Sequence, residues 1–386
     1  MTTTEAGSRH RTFAVVLAGF CAFVPLYATQ PLLPMLAREF HASAVRVSLT
    51  VTLATLGVAL AAPMAGSISD RYGRKRSIVL AAVALGVLTI VAAASPTLEA
   101  LTFWRFLQGV FTPGIISVAV AYIHEEWDAS EFGRTTAAYV TGTVVGGFSG
   151  RFLAGLVATH WSWQTAFVVL GVLNLAGAAA LWRWLPRERQ RTVPASHTAW
   201  RGVMDHLRNP LLAATYVVGF CVLFSLTSTF TYVNFYLAAP PFLLPPAALG
   251  SLFFVYLVGA AITPAAGRWI DRYGNRRALA GAVSAGAGGI LLTLIPHLAA
   301  VVTGLALCCT GVFIAQSAAN SFLGVAAKRN RALAVGLYGA FYYTGGSVGA
   351  WIPGYLWSEG GWPACVALIA GVQALTVVLA MVLWRD

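Results

Sequence analysis

The chain has 386 residues, of which 58% are hydrophobic and only 10% charged, with a formal net charge of +12. A soluble domain carries about 25% charged residues, so this balance excludes an ordinary globular protein and indicates one built into a membrane. The excess of positive charge raises nucleic acid as a partner, but its distribution along the chain removes the need for one.

In chain order, twelve apolar stretches have the length of a bilayer-spanning helix: roughly 12–35, 47–69, 77–95, 98–122, 134–158, 162–185, 211–237, 247–270, 278–296, 298–325, 332–357 and 363–384. Such segments must be helical, because lipid cannot satisfy open backbone groups. The expected fold class is therefore an all-α membrane protein with twelve transmembrane helices. The first stretch continues past residue 30 through Pro25 and Pro31, so it reads as a span and not as a cleaved signal. The longest polar segment lies between Pro186 and Pro210. It divides the chain into an N-terminal six-helix bundle (1–185), a cytoplasmic linker (186–210) and a C-terminal six-helix bundle (211–386), with a short surface helix expected near 198–208.

With both termini placed inside, 21 of the 25 lysines and arginines fall on the cytoplasmic side. Only Arg38 and Arg46 remain outside, and Arg105 and Arg151 lie within spans. This asymmetry sets the orientation, and contact with anionic lipid headgroups accounts for the basic loops without nucleic acid. Cys21, Cys221, Cys308, Cys309 and Cys365 sit in apolar stretches without metal-ligand spacing and read as small packing residues. No metal or cofactor is expected.

The turn GSISDRYGRKR (66–76) places five charges in seven residues, and a near copy, GRWIDRYGNRR, follows at 267–277. Gly66, Asp70 and Gly73 map onto Gly267, Asp271 and Gly274 at an offset of 201. Gly19-Phe20-Cys21 returns as Gly219-Phe220-Cys221, Gly146-Gly147 as Gly345-Gly346, and Trp163 as Trp362. The chain is thus two six-span repeats in one orientation. Parallel repeats of this kind are a transporter layout with the substrate site between the halves.

The Gly-x-hydrophobic-x-Asp-Arg-x-Gly-Arg-Lys turn resembles the signature of the major facilitator superfamily, and Arg105-x-x-Gln108-Gly109 resembles its second motif. YATQPLLPMLAREF (27–40) and GGFSGR (146–151) resemble a bacterial subgroup of exporters, the YnfM-like transporters, close to the drug–proton antiporters. The resemblance implies the twelve-helix fold, alternating access, and a monomer in the bacterial inner membrane that moves a small-molecule substrate with the proton as coupling ion. It also implies that the charged turn is a latch, formed against span 11, which holds one conformation and releases in another. Gly66, Asp70, Arg71, Gly73 and Arg74 would form it, with Asp271, Arg272 and Gly274 as its counterpart. Gly66 would let two helices approach closely, and Asp70 would face a helix N-terminus. A purely topogenic basic loop would explain the arginines and Lys75, but not Asp70 or the glycines.

Subtracting one repeat from the other isolates candidates for function. Leu307 stands opposite Arg105 and Ala350 opposite Arg151, so both arginines belong to the first repeat alone. Each lies about seven residues, roughly 10 Å, from the outer end of its span, with Gln30 at similar depth. An arginine there costs on the order of 2.5–3.5 kcal/mol, which makes it a functional candidate; the bland alternative is that it snorkels or ties down carbonyls. No Asp or Glu lies in the middle of a span; Glu39, Glu125 and the other acids stand at ends and loops. That arrangement suits an anionic or highly polar substrate; the resemblance to the antiporters implies instead that Arg105 tunes proton coupling through a nearby group such as Glu39. Span 5 lacks the Gly-Pro pair of the antiporters, and its small stripe at 142, 146, 150, 154 and 158 reads as close helix packing. Tyr232, Asn234, Gln316, Asn320 and Tyr342 complete the candidate substrate-binding or coupling residues with Arg105, Gln108, Gln30 and Arg151. Gln316 and Asn320, one turn apart, would be costly against lipid and suit a polar cavity face.

An enzyme is not expected. His124-Glu125-Glu126 lacks a second histidine at metalloprotease spacing, and no phosphate-binding Gly-x-x-x-x-Gly-Lys loop occurs. The leading expectation is secondary active transport by alternating access, as proton-coupled export of a small organic solute. A sugar or organic-anion exporter or facilitator is the second. A non-transporting sensor on a permease fold would normally carry a large output domain, for which loops of about 25 residues leave no room.

Overall fold

The computed structural model describes residues 3–186, 199–327 and 330–384. It is helical at all twelve expected spans. The first span consists of α1 (Thr3–Phe23), a 3-10 turn (Gln30–Leu32) and α2 (Leu33–Glu39). Then follow α3 (Ala44–Tyr72), α4 (Arg74–Ala93), α5 (Leu98–Phe111), α6 (Pro113–Glu126), α7 (Ala129–His160) and α8 (Trp163–Trp184). The linker helix is α9 (Ala199–Arg208), and residues 187–198 of the linker lie outside the described residues. The second repeat comprises α10 (Pro210–Ala238), α11 (Pro246–Ser251), α12 (Phe254–Leu292), α13 (Leu298–Ala326), α14 (Arg331–Trp351) and α15 (Pro353–Leu383). Among the described residues, nine helices are long and apolar enough to cross a membrane.

Proline and small polar residues set the helix boundaries. Pro113, Pro210, Pro246 and Pro353 each open a helix, where a missing N–H is one of the unpaired donors anyway. Thr97, Ser162 and Asn209 accept from the amides of Ala100 (3.2 Å), Thr165 (3.1 Å) and Leu211 (3.0 Å), capping α5, α8 and α10. Several boundaries differ from the sequence expectation: span 4 divides at Pro113, and span 8 begins with the short α11 and continues in α12 through span 9, with a bend at Gly274 (φ 81). The first span is broken between Phe23 and Gln30 rather than continuous, because Pro25 cannot donate to the preceding turn. Span 11 divides at Pro353, and α15 then runs through to Leu383 with a bend at Gly361 (φ 61).

The chain packs as two compact units: Met1–Leu32 with Leu60–Ala195 and Pro246–Ser251, and Leu33–Ala59 with Ser196–Pro245 and Leu252–Asp386. The expected halves and these units differ by two exchanged segments, Leu33–Ala59 and Pro246–Ser251. In the first unit α1 packs on α7 and α8, and α4 on α8. Cys21, Ala82, Leu85, Ile115 and Leu181 form part of the core there. In the second, α10 packs on α13, α14 and α15, and α12 on α13. All five cysteines are buried and free, as packing residues would be.

The internal repeat is visible as matching contacts. A methyl group at Gly146 would stand 2.5 Å from Phe20 O, and one at Gly349 would stand 2.5 Å from Phe224 O. At Gly142, Gly150 and Gly345 it would collide with the carbonyls of Val16, Val24 and Phe220. The small stripe of α7 therefore presses on α1 as that of α14 presses on α10. Gly66 behaves otherwise. Among the described residues, a methyl group there, or at Gly267, would meet nothing within 4 Å.

Gly142→Ala should lower stability by about 1–3 kcal/mol, read as a drop in the unfolding midpoint of purified protein, whereas Gly66→Ala should leave the midpoint unchanged. Equal effects would contradict this packing.

Candidate functional site

The break in the first span leaves carbonyls turned out of the helix ladder. Short turns recover part of the bonding, with Ala28 N donating to Pro25 O (3.2 Å), Gln30 N to Tyr27 O (3.1 Å) and Leu32 N to Thr29 O (2.9 Å). Arg105 of α5 reaches into this segment with no exposed surface. Its Nη1 donates to Pro25 O at 2.7 Å and also to Gln108 Oε1, and its Nη2 donates to Leu26 O. A planar guanidinium fork suits two neighbouring acceptors. Gln108 Nε2 donates to Thr89 Oγ1 (3.0 Å), whose hydroxyl donates to Leu85 O (2.6 Å), tying the group to α4.

Arg151 of α7 serves the same segment. Its Nε donates to Gln30 Oε1 and its Nη1 to Gly147 O, both at 2.7 Å. The guanidinium lies 4.6 Å from the centre of the Tyr27 ring, within cation–π range. Arg151 is 3% exposed and Gln30 1%. Arg105, Gln108, Arg151 and Gln30 are thus gathered around residues 24–32, and both arginines hold oxygens of the chain itself.

The candidates of the second repeat are more dispersed. Tyr232 is fully buried on α10, and its hydroxyl donates to Ala350 O at 2.7 Å. Asn234, also fully buried, donates to Phe230 O (2.6 Å) within its own helix, while its Oδ1 is buried without a partner. Gln316 of α13 is half-buried and accepts from Tyr338 (2.9 Å), while Asn320 is exposed. Tyr342 stacks on Tyr338 at 6.0 Å between ring centres. Sequence reasoning missed Ser228, which donates to Gly349 O at 2.8 Å. Pro353 was the available signal, since a proline leaves the carbonyl four residues earlier without its amide.

At the charged turn, Gly73 (φ 96) and Gly274 (φ 81) both occupy the left-handed region, which requires glycine. Asp70 Oδ1 lies 2.6 Å from Arg74 Nη2, and Arg74 binds Glu125 of α6 through both carboxylate oxygens, at 2.8 and 3.2 Å. Arg74 also donates to Ser69 Oγ. Arg71 is exposed and lies over the Tyr72 ring at 5.8 Å, as Arg272 lies over Tyr273 at 5.4 Å. Asp271 is exposed, and Asn275 stands where the first turn has Arg74. Among the described residues, the backbone turn is built twice and its three-charge relay once. Nothing in the sequence linked Glu125 to a turn fifty residues earlier.

Membrane-length helices in two equivalent six-span repeats, with buried polar clamps at their breaks, define a polytopic membrane transporter. Residues 15–324, and again 235–386, match the Major Facilitator Superfamily. The MFS-type transporter YybF of Bacillus subtilis is 33% identical over 378 residues, covering 97% of this chain and 92% of that protein. The inner membrane transport protein YnfM of Escherichia coli is 30% identical over 376 residues, covering 97% and 90%. Among solved structures, that of a mutant of the nucleoside transporter NupG superposes with a TM-score of 0.79 at 13% identity, covering 97% of this chain and all of that one; at this identity it shows the fold. The chain belongs to the major facilitator superfamily and is a transporter, not an enzyme.

Arg151 and Gln30 should be coupled. In a double-mutant cycle of Arg151→Ala and Gln30→Ala, the two losses in unfolding free energy should fall short of additivity by about 1–3 kcal/mol. Additive losses would mean that the 2.7 Å bond carries no net energy.

Proposed function

We propose that this chain is a secondary active transporter of a bacterial plasma membrane, exporting a small organic solute by alternating access in exchange for protons. In this reading both termini are cytoplasmic, the two bundles are residues 1–185 and 211–386, and the transporter works as a monomer. The observation that carries it is the paired construction of α1 on α7 and α10 on α14. Equivalent glycines press on equivalent carbonyls in each repeat, which gives two rigid helix pairs of the same design. Two similar bodies of this kind suit an equilibrium between two states of nearly equal energy. Export and proton coupling come from the YnfM-like resemblance.

The second reading, a sugar or organic-anion exporter or facilitator, would use Arg105 and Arg151 as anchors for negative charge. Their burial and their bonds to Pro25, Leu26, Gln30 and Gly147 weigh against it. Substrate contact then falls to uncharged groups of the second repeat, with Gln316, Asn320 and Tyr342 as candidates. The Asp70–Arg74–Glu125 relay acts as the gating latch at the charged turn.

Reconstituted into liposomes holding a pH-sensitive dye, the protein should move protons across the membrane when one member of a panel of lipophilic cations, neutral solutes and organic anions is added. Asp70→Asn should slow that flux several-fold with expression and unfolding midpoint unchanged. Solute flux that ignores an imposed pH gradient would overturn coupling, and an unaltered rate in Asp70→Asn would leave that turn a topogenic role alone.

A further inference from the structure

The last turn of a helix leaves carbonyls without amides. At the end of α8, where the linker begins, side chains of two other helices meet them. Lys75 Nζ, in the first turn of α4, donates to Leu185 O. The Tyr122 hydroxyl, near the end of α6, donates to Pro186 O at 2.8 Å. Lys75 Nζ also lies 5.7 Å from the centre of the Trp182 ring, three residues before Leu185, within cation–π range. Tyr122 is itself fixed: its ring packs edge-on against Trp127 at 5.8 Å, and the Arg11 guanidinium lies 4.8 Å from the centre of the Trp127 ring. Arg11 Nη2 donates to Glu126 O (3.0 Å), the last residue of α6.

We infer that Lys75 and Tyr122 are positioning residues that tie the root of the linker to the charged relay, so that the two are released together. The same two helix ends carry both devices. Arg74, which binds Asp70 and Glu125, is the residue before Lys75. Glu125 is three residues after Tyr122, which puts both on one side of α6. Helix α4 packs on both α6 and α8. Arg74 fixes the separation of the α4 and α6 ends by binding both oxygens of Glu125. The linker root needs that separation, because one of its donors comes from each helix. When the relay parts, Leu185 and Pro186 cannot keep both. A lysine kept for topology alone needs no partner in the chain. Lys75 instead directs its charge at the carbonyl end of a helix, where a cation is favoured.

The inference rests on the latch reading of the charged turn, but its test needs neither substrate nor gradient. Hydrogen–deuterium exchange of residues 181–185, the end of α8, reads the linker root directly. In the parent chain Leu185 N donates to Leu181 O at 3.0 Å. Lys75→Gln should speed exchange there several-fold, and Lys75→Arg should keep it near the parental rate. Glu125→Gln should also speed it several-fold, although Glu125 lies on another helix. The increase in the double variant Lys75→Gln/Glu125→Gln should fall short of the product of the two single increases. Residues 166–170, toward the other end of α8, should exchange at one rate throughout. Lys75→Gln exchanging as the parent does, or Lys75→Arg exchanging as Lys75→Gln does, would overturn the clamp. Glu125→Gln exchanging as the parent does, or increases that multiply, would overturn the tie to the relay. Each of these results would leave the proton-flux measurement standing, and a failure of proton flux would leave the exchange result standing.

Discussion

Within a bilayer, any carbonyl released from a helix ladder needs a donor from elsewhere in the protein. This chain breaks its helices at Pro25 and at Pro353, and both places meet the requirement with side chains from neighbouring spans. Arg105 closes on Pro25 O and Leu26 O in the first repeat, and Ser228 and Tyr232 close on Gly349 O and Ala350 O in the second. The rest of the structure depends on these clamps. A broken helix held in one shape can press on its neighbour, and α1 does so on α7 at the carbonyls beside the small stripe.

The two repeats solve the same problem with different chemistry. A charged fork holds the first break and two hydroxyls hold the second. The difference explains why Arg105 and Arg151 have no counterparts at Leu307 and Ala350. A cation at this depth is costly; two chain carbonyls and a glutamine oxygen offset that cost for Arg105, and one carbonyl, a glutamine oxygen and an aromatic face do so for Arg151, with no carboxylate in the middle of either span. The charged turns show the same division. One backbone design is used twice, and only the first copy carries the relay from Asp70 through Arg74 to Glu125. Equivalent frames with unequal polar groups are what a transporter needs if its halves are to move alike while only one of them carries a given task.

Much of this was legible in the sequence, for reasons that can be named. Span lengths, the doubled turn and the glycine pairs are local patterns with fixed spacing, and the structure reproduces them as helices, as two positive-φ glycines and as matched contacts. Arg105 and Arg151 stood out because arginine is rare at that depth, and depth alone suggested grouping Arg151 with Gln30, to which it bonds. What pairing could not show was the acceptor. A carbonyl has no sequence signature, so the clamp on residues 25 and 26 was hidden even though Pro25 marked the place. Gly66 shows the converse limit: a glycine near a turn suggests contact, whereas a Cβ there would meet nothing within 4 Å among the described residues. The partnership of Glu125 with Arg74 joins residues far apart in the chain, and neither end carries a motif that names the other.

The most direct test of the clamp is hydrogen–deuterium exchange of residues 24–32 in the parent chain and in Arg105→Ala. Amides of Ala28, Gln30 and Leu32 donate to carbonyls of the short turns in the segment that Arg105 holds. Their exchange should rise about tenfold or more in the variant, with protection in α10 to α15 unchanged. Protection of residues 24–32 that is the same in both proteins would show that the break holds its shape without Arg105, and would remove the clamp as the constraint on which the fold depends.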